Sequence, residues 1–308
     1  MTSIDLRARG LVKRFGQTTA LDGVDFAASP GESVAIMGAS GSGKTTLLHS
    51  LAGIELPDEG SILVGEPGGV VELTEMSEAD RSEWRRTRFG FVFQQGMLIP
   101  ELTALENVAL PLMLGGRSRR DSFASASTLF GPLGIDGLQA KRIGQLSGGQ
   151  AQRVAIARAQ VNDASVVFAD EPTGALDSRT SADVMGALLH ATTGQGRTLV
   201  LVTHDETVAA RCSRIIRLAD GRIIGQPGGI GAPTPAQRFA SGQAPVPQQA
   251  QQPYPPQQPY PPQQPRYQQQ PAGQPFPQQP YPQPAAQPYP PQTYPGQATG
   301  VVPNGARP

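Results

Sequence analysis

The 308-residue chain carries 25 basic and 25 acidic side chains, so its formal net charge is zero. From Gln226 onward there is no Asp, Glu or Lys, and the only charged side chains are Arg238, Arg266 and Arg307. Residues 1–225 therefore hold 22 basic against 25 acidic groups, which argues against a nucleic-acid binder relying on a strong basic field. The single Cys212 excludes an internal disulfide framework and fits a reducing compartment. No run reaches the roughly 18 apolar residues of a membrane span. The first residues, Met1-Thr-Ser-Ile-Asp-Leu-Arg7, hold no apolar signal region. The expectation is a soluble chain whose membrane role, if it has one, comes through a partner.

In chain order, residues 4–26 read as short strands with a turn near Gly16. Ser33-Val-Ala-Ile-Met37 is a short apolar run ending at Gly38, the pattern of a buried strand feeding a loop. Residues 45–52 follow as a helix, and 61–64 and 89–93 as further strands. Residues 103–135 are Ala/Leu-rich and helical in pattern, broken at Gly115-Gly116 and Gly131-Pro132. A helix is expected over 149–161, a buried strand over 165–169, a helix over 179–190 and a strand over 198–202. Residues 214–218 and 222–224 suit a hairpin across Ala219-Asp220-Gly221. Alternating strands and helices argue an α/β fold with a mainly parallel sheet. The helical block, about residues 95–160, reads as a separate lobe.

The remainder, 226–308, differs in kind. It holds all six tyrosines, while residues 1–225 hold only 7 of the 31 prolines. Tyr-Pro-Pro-Gln-Gln-Pro occurs at Tyr254 and again at Tyr260. Such a composition cannot bury enough apolar surface to offset its ordering entropy, and a disordered tail is expected. Tyr/Pro/Gln repeats also suit aromatic grooves or weak self-association, without naming a partner.

Gly38-Ala39-Ser40-Gly41-Ser42-Gly43-Lys44-Thr45 matches GxxxxGK(S/T) between an expected strand and an expected helix. Backbone amides of such a loop cradle phosphate oxygens, helped by the helix N-terminus. Lys44 would reach the β- and γ-phosphates, and the Thr45 hydroxyl would ligate Mg²⁺. Ser165-Val-Val-Phe-Ala-Asp170-Glu171 delivers two carboxylates at the end of a buried strand. Asp170 can hold Mg²⁺ through water, and Glu171 can orient and deprotonate the attacking water. Alone, the same pair is an acidic strand end before the Pro172-Thr173-Gly174 turn.

Leu146-Ser147-Gly148-Gly149-Gln150 precedes a helical segment, and its hydroxyl and amides form a second anion site. One γ-phosphate engages both loops only if they meet, and the natural solution is a head-to-tail pair of copies. The plainer reading of these residues is a Ser N-cap followed by Gly-Gly.

With these motifs, the chain resembles the nucleotide-binding subunits of ABC transporters over roughly residues 4–225. The resemblance extends to Gln94 after Phe89-Gly-Phe-Val-Phe93, to Ala175-Leu176-Asp177, and to His204 in Leu201-Val-Thr-His-Asp205. It implies a P-loop ATPase fold with a mainly parallel core sheet, an antiparallel β subdomain and a helical subdomain. It implies ATP and Mg²⁺ as ligands. Phe15 would stack on adenine, and residues 38–45 with Thr46 would hold the phosphates. Gln94 would touch Mg²⁺ and the water and sense the membrane partner. His204 would contact the γ-phosphate and hold Glu171 in place. Ser147, Gly148, Gly149 and Gln150 would complete the other copy's site, and Asp177 would couple the two sites.

Gly90-Phe-Val-Phe-Gln94, residues 98–108 and Ala169-Asp-Glu-Pro-Thr-Gly174 look most like the branch of lipoprotein-releasing, macrolide-exporting and peptide-exporting ATPases. Phe15 replaces the commoner Tyr, Ala151 stands where a second Gln is frequent, and the tail lies outside the family pattern. The implied partners are a second copy of the chain and an integral-membrane permease, met by residues 94–103 at the cytoplasmic face of the membrane. The apolar string Met97-Leu98-Ile99-Pro100 in that segment also suits plain core. An envelope-remodelling ATPase that moves no substrate would carry the same residues. A DNA-repair or translation protein is disfavoured by the single P-loop and the absent basic surplus, and a P-loop kinase by the second anion loop.

Overall fold

Three strands of the chain are apolar almost throughout, and such strands need cover on both faces. The computed structural model, which describes residues 4–66, 69–94 and 96–224, provides it. β3 (Ser33–Met37), β7 (Val166–Asp170) and β8 (Thr198–Val202) lie inside a six-stranded sheet. With β6 (Phe89–Val92), β9 (Arg214–Ala219) and β10 (Arg222–Ile224), the order is β10-β9-β3-β8-β7-β6. All neighbours run parallel except β9 and β10, which form the expected hairpin.

Side chains alternate across this sheet with the period of two that strands impose. Val34, Ile36, Phe168, Val200 and Val202 face one core, with α1 (Lys44–Leu51) and a second sheet. Val167, Ala169, Leu199 and Leu201 face the other, with helices. Those helices are α3 (Ala104–Leu114), α4 (Arg119–Ser127), α5 (Gly148–Gln160) and α6 (Ser178–Ala191). A short α7 (Glu206–Ala209) follows β8.

The second sheet is antiparallel, in the order β2-β1-β4-β5. Its strands are β1 (Asp5–Phe15), β2 (Thr18–Ala28), β4 (Glu59–Glu66) and β5 (Gly69–Glu72). The expected short strands over 4–26 are instead two strands of 11 residues each. Irregularities at Ala8/Leu11, Leu11/Val12 and Lys13/Arg14 let the pairing continue past Gly10, where the residue pattern loses its alternation.

α2 (Glu78–Arg88) was not legible in the apolar pattern, because it is almost wholly polar and only Arg81 is buried. Its ends carry the signal instead. The Ser77 hydroxyl accepts from the Asp80 amide, acidic residues fill the first turn and Arg85, Arg86 and Arg88 the last. Among the described residues, no helix is long and apolar enough to cross a membrane. The Tyr/Pro/Gln repeats and the rest of 226–308 lie outside the described residues.

Candidate active site

In a parallel sheet the C-terminal strand ends share one edge, and ligands meet open α/β sheets there. Register makes this concrete. Ile36 on β3 and Asp170 on β7 both pair with Val202 on the intervening β8, so three loops leave from one row. These are the loop 38–43, the turn after Asp170 and the segment 203–205.

The first loop is built of glycines for steric reasons. Gly43 sits at φ 98°, and a Cβ there would lie 2.2 Å from the Ala20 carbonyl oxygen. It starts α1 without a side-chain cap, which leaves the first amides of the helix free to meet an anion. Gly221 in the β9–β10 turn donates its amide to the Ser42 carbonyl at 3.2 Å. Among the described residues, the buried Ser42 hydroxyl has no hydrogen-bond partner. The Lys44 ammonium folds back onto the Ala39 carbonyl at 2.8 Å. Ala39, Ser40, Gly41 and Thr45 are exposed, and Thr46 is half-buried.

The Thr45 hydroxyl reaches an Asp170 carboxylate oxygen at 3.3 Å, which brings loop and β7 together. Burial pushes the Asp170 carboxyl above its usual range, and the Thr45 hydroxyl partly offsets this. One residue on, Glu171 adopts φ 46°, a left-handed conformation that costs a residue bearing Cβ about 1–2 kcal/mol. Its amide donates to the Val202 carbonyl at 2.9 Å, and its carbonyl accepts from Gly174 at 3.1 Å. This turn aims the carboxylate at His204, whose Nδ1 lies 2.7 Å from Oε1. The Thr203 hydroxyl approaches the other oxygen at 3.5 Å. The His204 side chain is 69% exposed and that of Glu171 17%, so the carboxylate is sheltered and the imidazole faces outward. Thr203 was not singled out in the sequence, where one buried threonine beside a histidine gives no signal.

Gln94 is exposed and lies against the same turn, its Nε2 3.0 Å from where a Cβ on Gly174 would stand. Phe15 ends β1 half-exposed, with the Lys13 ammonium 5.4 Å from its ring centroid.

The remaining loop stands apart from these. The Ser147 hydroxyl accepts from the Gln150 amide at 3.3 Å, and the Gln150 side chain accepts from the Ser147 amide at 3.0 Å. Ser147 is thus an N-cap, as the plainer reading held, and Gln150 closes a capping box. The hydroxyl proton stays free to be donated, and Ser147 and Gly148 are exposed. Gly149 is buried, since a Cβ there would lie 2.5 Å from Thr180 Cγ2 on α6. Asp177 caps α6, accepting from Arg179 at 3.1 Å and Thr180 at 3.0 Å. Hydrogen bonding from Thr180 holds its carboxyl below the usual range. Among the described residues, no hydrogen bond joins 147–150 to 38–46.

A parallel sheet with a glycine loop opening a helix at its carboxyl edge, and an acidic pair two strands away, defines the P-loop nucleotide-hydrolase class. Within that class, residues 21–174 match the ABC transporter family model. The macrolide export ATP-binding/permease protein MacB of Rhodopseudomonas palustris strain BisB18 is 45% identical over 222 residues, 70% of this chain and 33% of its own. Its counterpart in Nitrosomonas europaea is 42% identical over 73% of this chain and 35% of its own. The chain thus spans about a third of the length of these relatives. A dimeric bacterial ABC transporter cassette superposes with a TM-score of 0.64 at 38% identity, covering 71% of this chain and 97% of that one. The post-hydrolysis state of the same cassette, bound to ADP and Pi, matches at 37% identity, 74% and 100% coverage and a TM-score of 0.64. The chain belongs to the ABC transporter family.

Proposed function

We propose that this chain is the ATP-hydrolysing subunit of an exporter-type ABC transporter, acting as a head-to-tail pair that closes around two ATP and drives a separate integral-membrane permease from the cytoplasmic face. The observation that carries this reading is the division of the site. Residues 38–46, 170–171 and 204 meet at one sheet edge, while Ser147 and Gly148 present a capped, exposed helix start that is hydrogen-bonded to none of the loop 38–46. A second copy gives that helix start a phosphate to meet. The export direction rests on relatives named as macrolide exporters.

Within each site, Phe15 stacks on the base and residues 38–46 hold the phosphates, with Lys44 leaving Ala39 for the γ-phosphate. Glu171 takes the proton of the attacking water, and His204 holds that carboxylate and faces the γ-phosphate. Ser147, Gly148 and Gln150 serve the partner copy's phosphate, and Asp177 sits at the junction. Gly149 serves it through its backbone, since its α-carbon is packed against α6.

The Thr45 hydroxyl and the Gln94 amide oxygen are hard donors of the kind Mg²⁺ takes, and the Asp170 carboxylate, 3.3 Å from the Thr45 hydroxyl, would hold the ion through water. Bound there, Mg²⁺ would neutralise phosphate charge. Burial has raised the Asp170 pKa, so the folded protein holds its proton more tightly than the unfolded chain does. Its contribution to stability therefore falls as pH rises from the usual carboxylate value through the raised one. At neutral pH the ionised group is a cost. Asp170→Asn is expected to leave the melting temperature of the nucleotide-free protein unchanged or raised, while Mg²⁺-dependent turnover falls about 10–100-fold. A lowered melting temperature with unchanged Mg²⁺ dependence contradicts the assignment.

The segment after Gln94 supports the permease contact. Met97 is 66% exposed and Ile99 38%, while Leu98 packs against the helical core, so the string 97–100 is only partly core. Met97 lines a groove of about 290 Å³ with Phe91, Phe93 and Pro111, rimmed by Arg85 and Arg86. A photoreactive group at Met97 in native membranes is expected to crosslink to an integral-membrane polypeptide, and the same group at Val70 is not. Crosslinks to soluble proteins alone contradict this docking face.

A further inference from the structure

Gln94 is exposed, yet the backbone on either side of it is held by two polar side chains of a single helix, the buried Gln152 and the half-buried Arg158. Gln152 on α5 donates to the Phe93 carbonyl at 3.0 Å, just before Gln94. Arg158, 9 Å further along that helix by its rise of about 1.5 Å per residue, donates to the Gly96 carbonyl at 2.6 Å and the Met97 carbonyl at 2.7 Å. The backbone these bonds hold is unusual. Gly96 stands at φ 68° and Met97 at φ 45°, and the second is unfavourable for a residue with a Cβ. Among the described residues, the Arg158 guanidinium forms no ion pair. From the α3 side, buried Asn107 accepts from the Ile99 amide at 2.7 Å and donates to the Ile99 and Thr103 carbonyls at 3.0 and 3.1 Å. The first turn of α5 is the Ser147–Gly149 loop.

We propose that Arg158 is a positioning residue, which fixes the left-handed Gly96-Met97 turn so that Gln94 faces the 171–174 turn, and which ties that setting to the helix bearing the trans anion loop. The inference rests on the proposed role of Gln94 at the nucleotide. Its consequence is mechanical. Met97 and Arg158 both line the groove of Phe91, Phe93 and Pro111, so a segment docked there bears on the same two carbonyl bonds. A load on that groove moves Gln94 and Ser147 together.

Arg158→Met and Arg158→Lys, each alone and combined with Gln94→Ala, test this. In the nucleotide-free protein, Arg158→Met is expected to speed amide hydrogen exchange over residues 93–99 while the amides of 41–46 and ADP affinity stay at the parent's values. Its kcat is expected to fall about tenfold, the scale at which misplacing a catalytic group acts. Arg158→Lys, which keeps a charged donor, restores part of both. Added to Gln94→Ala, Arg158→Met is expected to lower kcat no further, because residues acting through one group are not additive. Additive losses, or faster exchange spread evenly over the chain, overturn the proposal and leave Arg158 a general stabiliser. If Gln94→Ala alone leaves kcat unchanged, the role of Gln94 falls, and the exchange result then decides the Arg158 link by itself.

Discussion

Glu171→Gln is expected to lower ATP turnover by about 10²–10⁴-fold, the contribution of a positioned general base, and to leave nucleotide affinity intact. The reasons are local. Glu171 is held at φ 46° by its amide bond to Val202 and its carbonyl bond from Gly174. Those backbone bonds do not depend on the carboxylate, so the variant keeps the turn. Its side chain is nearly isosteric and keeps its place beside Thr203 and His204. What it loses is the ability to accept a proton. The phosphate loop and Thr45 belong to other segments, and their amides and hydroxyl are untouched. Unchanged steady-state turnover contradicts the assignment of the base. A parallel loss of nucleotide affinity would mean that the 171–174 turn, rather than the proton acceptor, had been damaged.

The second large effect is expected of Ser147→Arg. The parent hydroxyl caps α5, and losing a cap costs about 1 kcal/mol. That is too little to unfold the chain. Ser147 is exposed and no hydrogen bond ties it to its own phosphate loop, so single-site ADP affinity is expected to match the parent's. A long cationic side chain at the helix start fills the space a second copy's phosphate loop needs, and ATP-dependent pairing is expected to vanish. Ser147→Asp separates the two jobs of this residue. Asp caps helices as well as Ser does. It also places a negative charge where a phosphate must come, so it should preserve the melting temperature and still prevent pairing. If Ser147→Asp pairs normally with ATP, the hydroxyl is a cap and nothing more.

Much of this was legible in the residues, for identifiable reasons. β3, β7 and β8 are short, apolar and flanked by polar loops, and the expected bounds differ from the observed ones by at most one residue. A buried parallel strand leaves that signature because both of its faces are covered. α2 left no apolar signature, since Trp84 and Arg81 are its main inward side chains, and only its cap and charge gradient mark it. In the antiparallel sheet, irregular pairing near Gly10 hid two long strands behind what read as several short ones.

The site divides the same way. Lys44, Thr45, Asp170 and Glu171 announce themselves by spacing, because loop and strand end are each contiguous in sequence. The Glu171–His204 bond joins residues 33 apart, and Arg158 reaches carbonyls 61 and 62 residues away. No local pattern encodes such pairs. Gly149 shows a further limit. Its motif suggested an anion contact, and the structure adds that α6 leaves no room for a side chain there.

In the proposed pair, each chain supplies half of each of two sites. Light scattering on the Glu171→Gln variant, with bound nucleotide counted in the same sample, tests it most directly. In ATP a particle of twice the 32.4 kDa chain mass holding two ATP is expected, and in ADP a single chain. A single chain that binds ATP to saturation and stays monomeric at every protein concentration would contradict it.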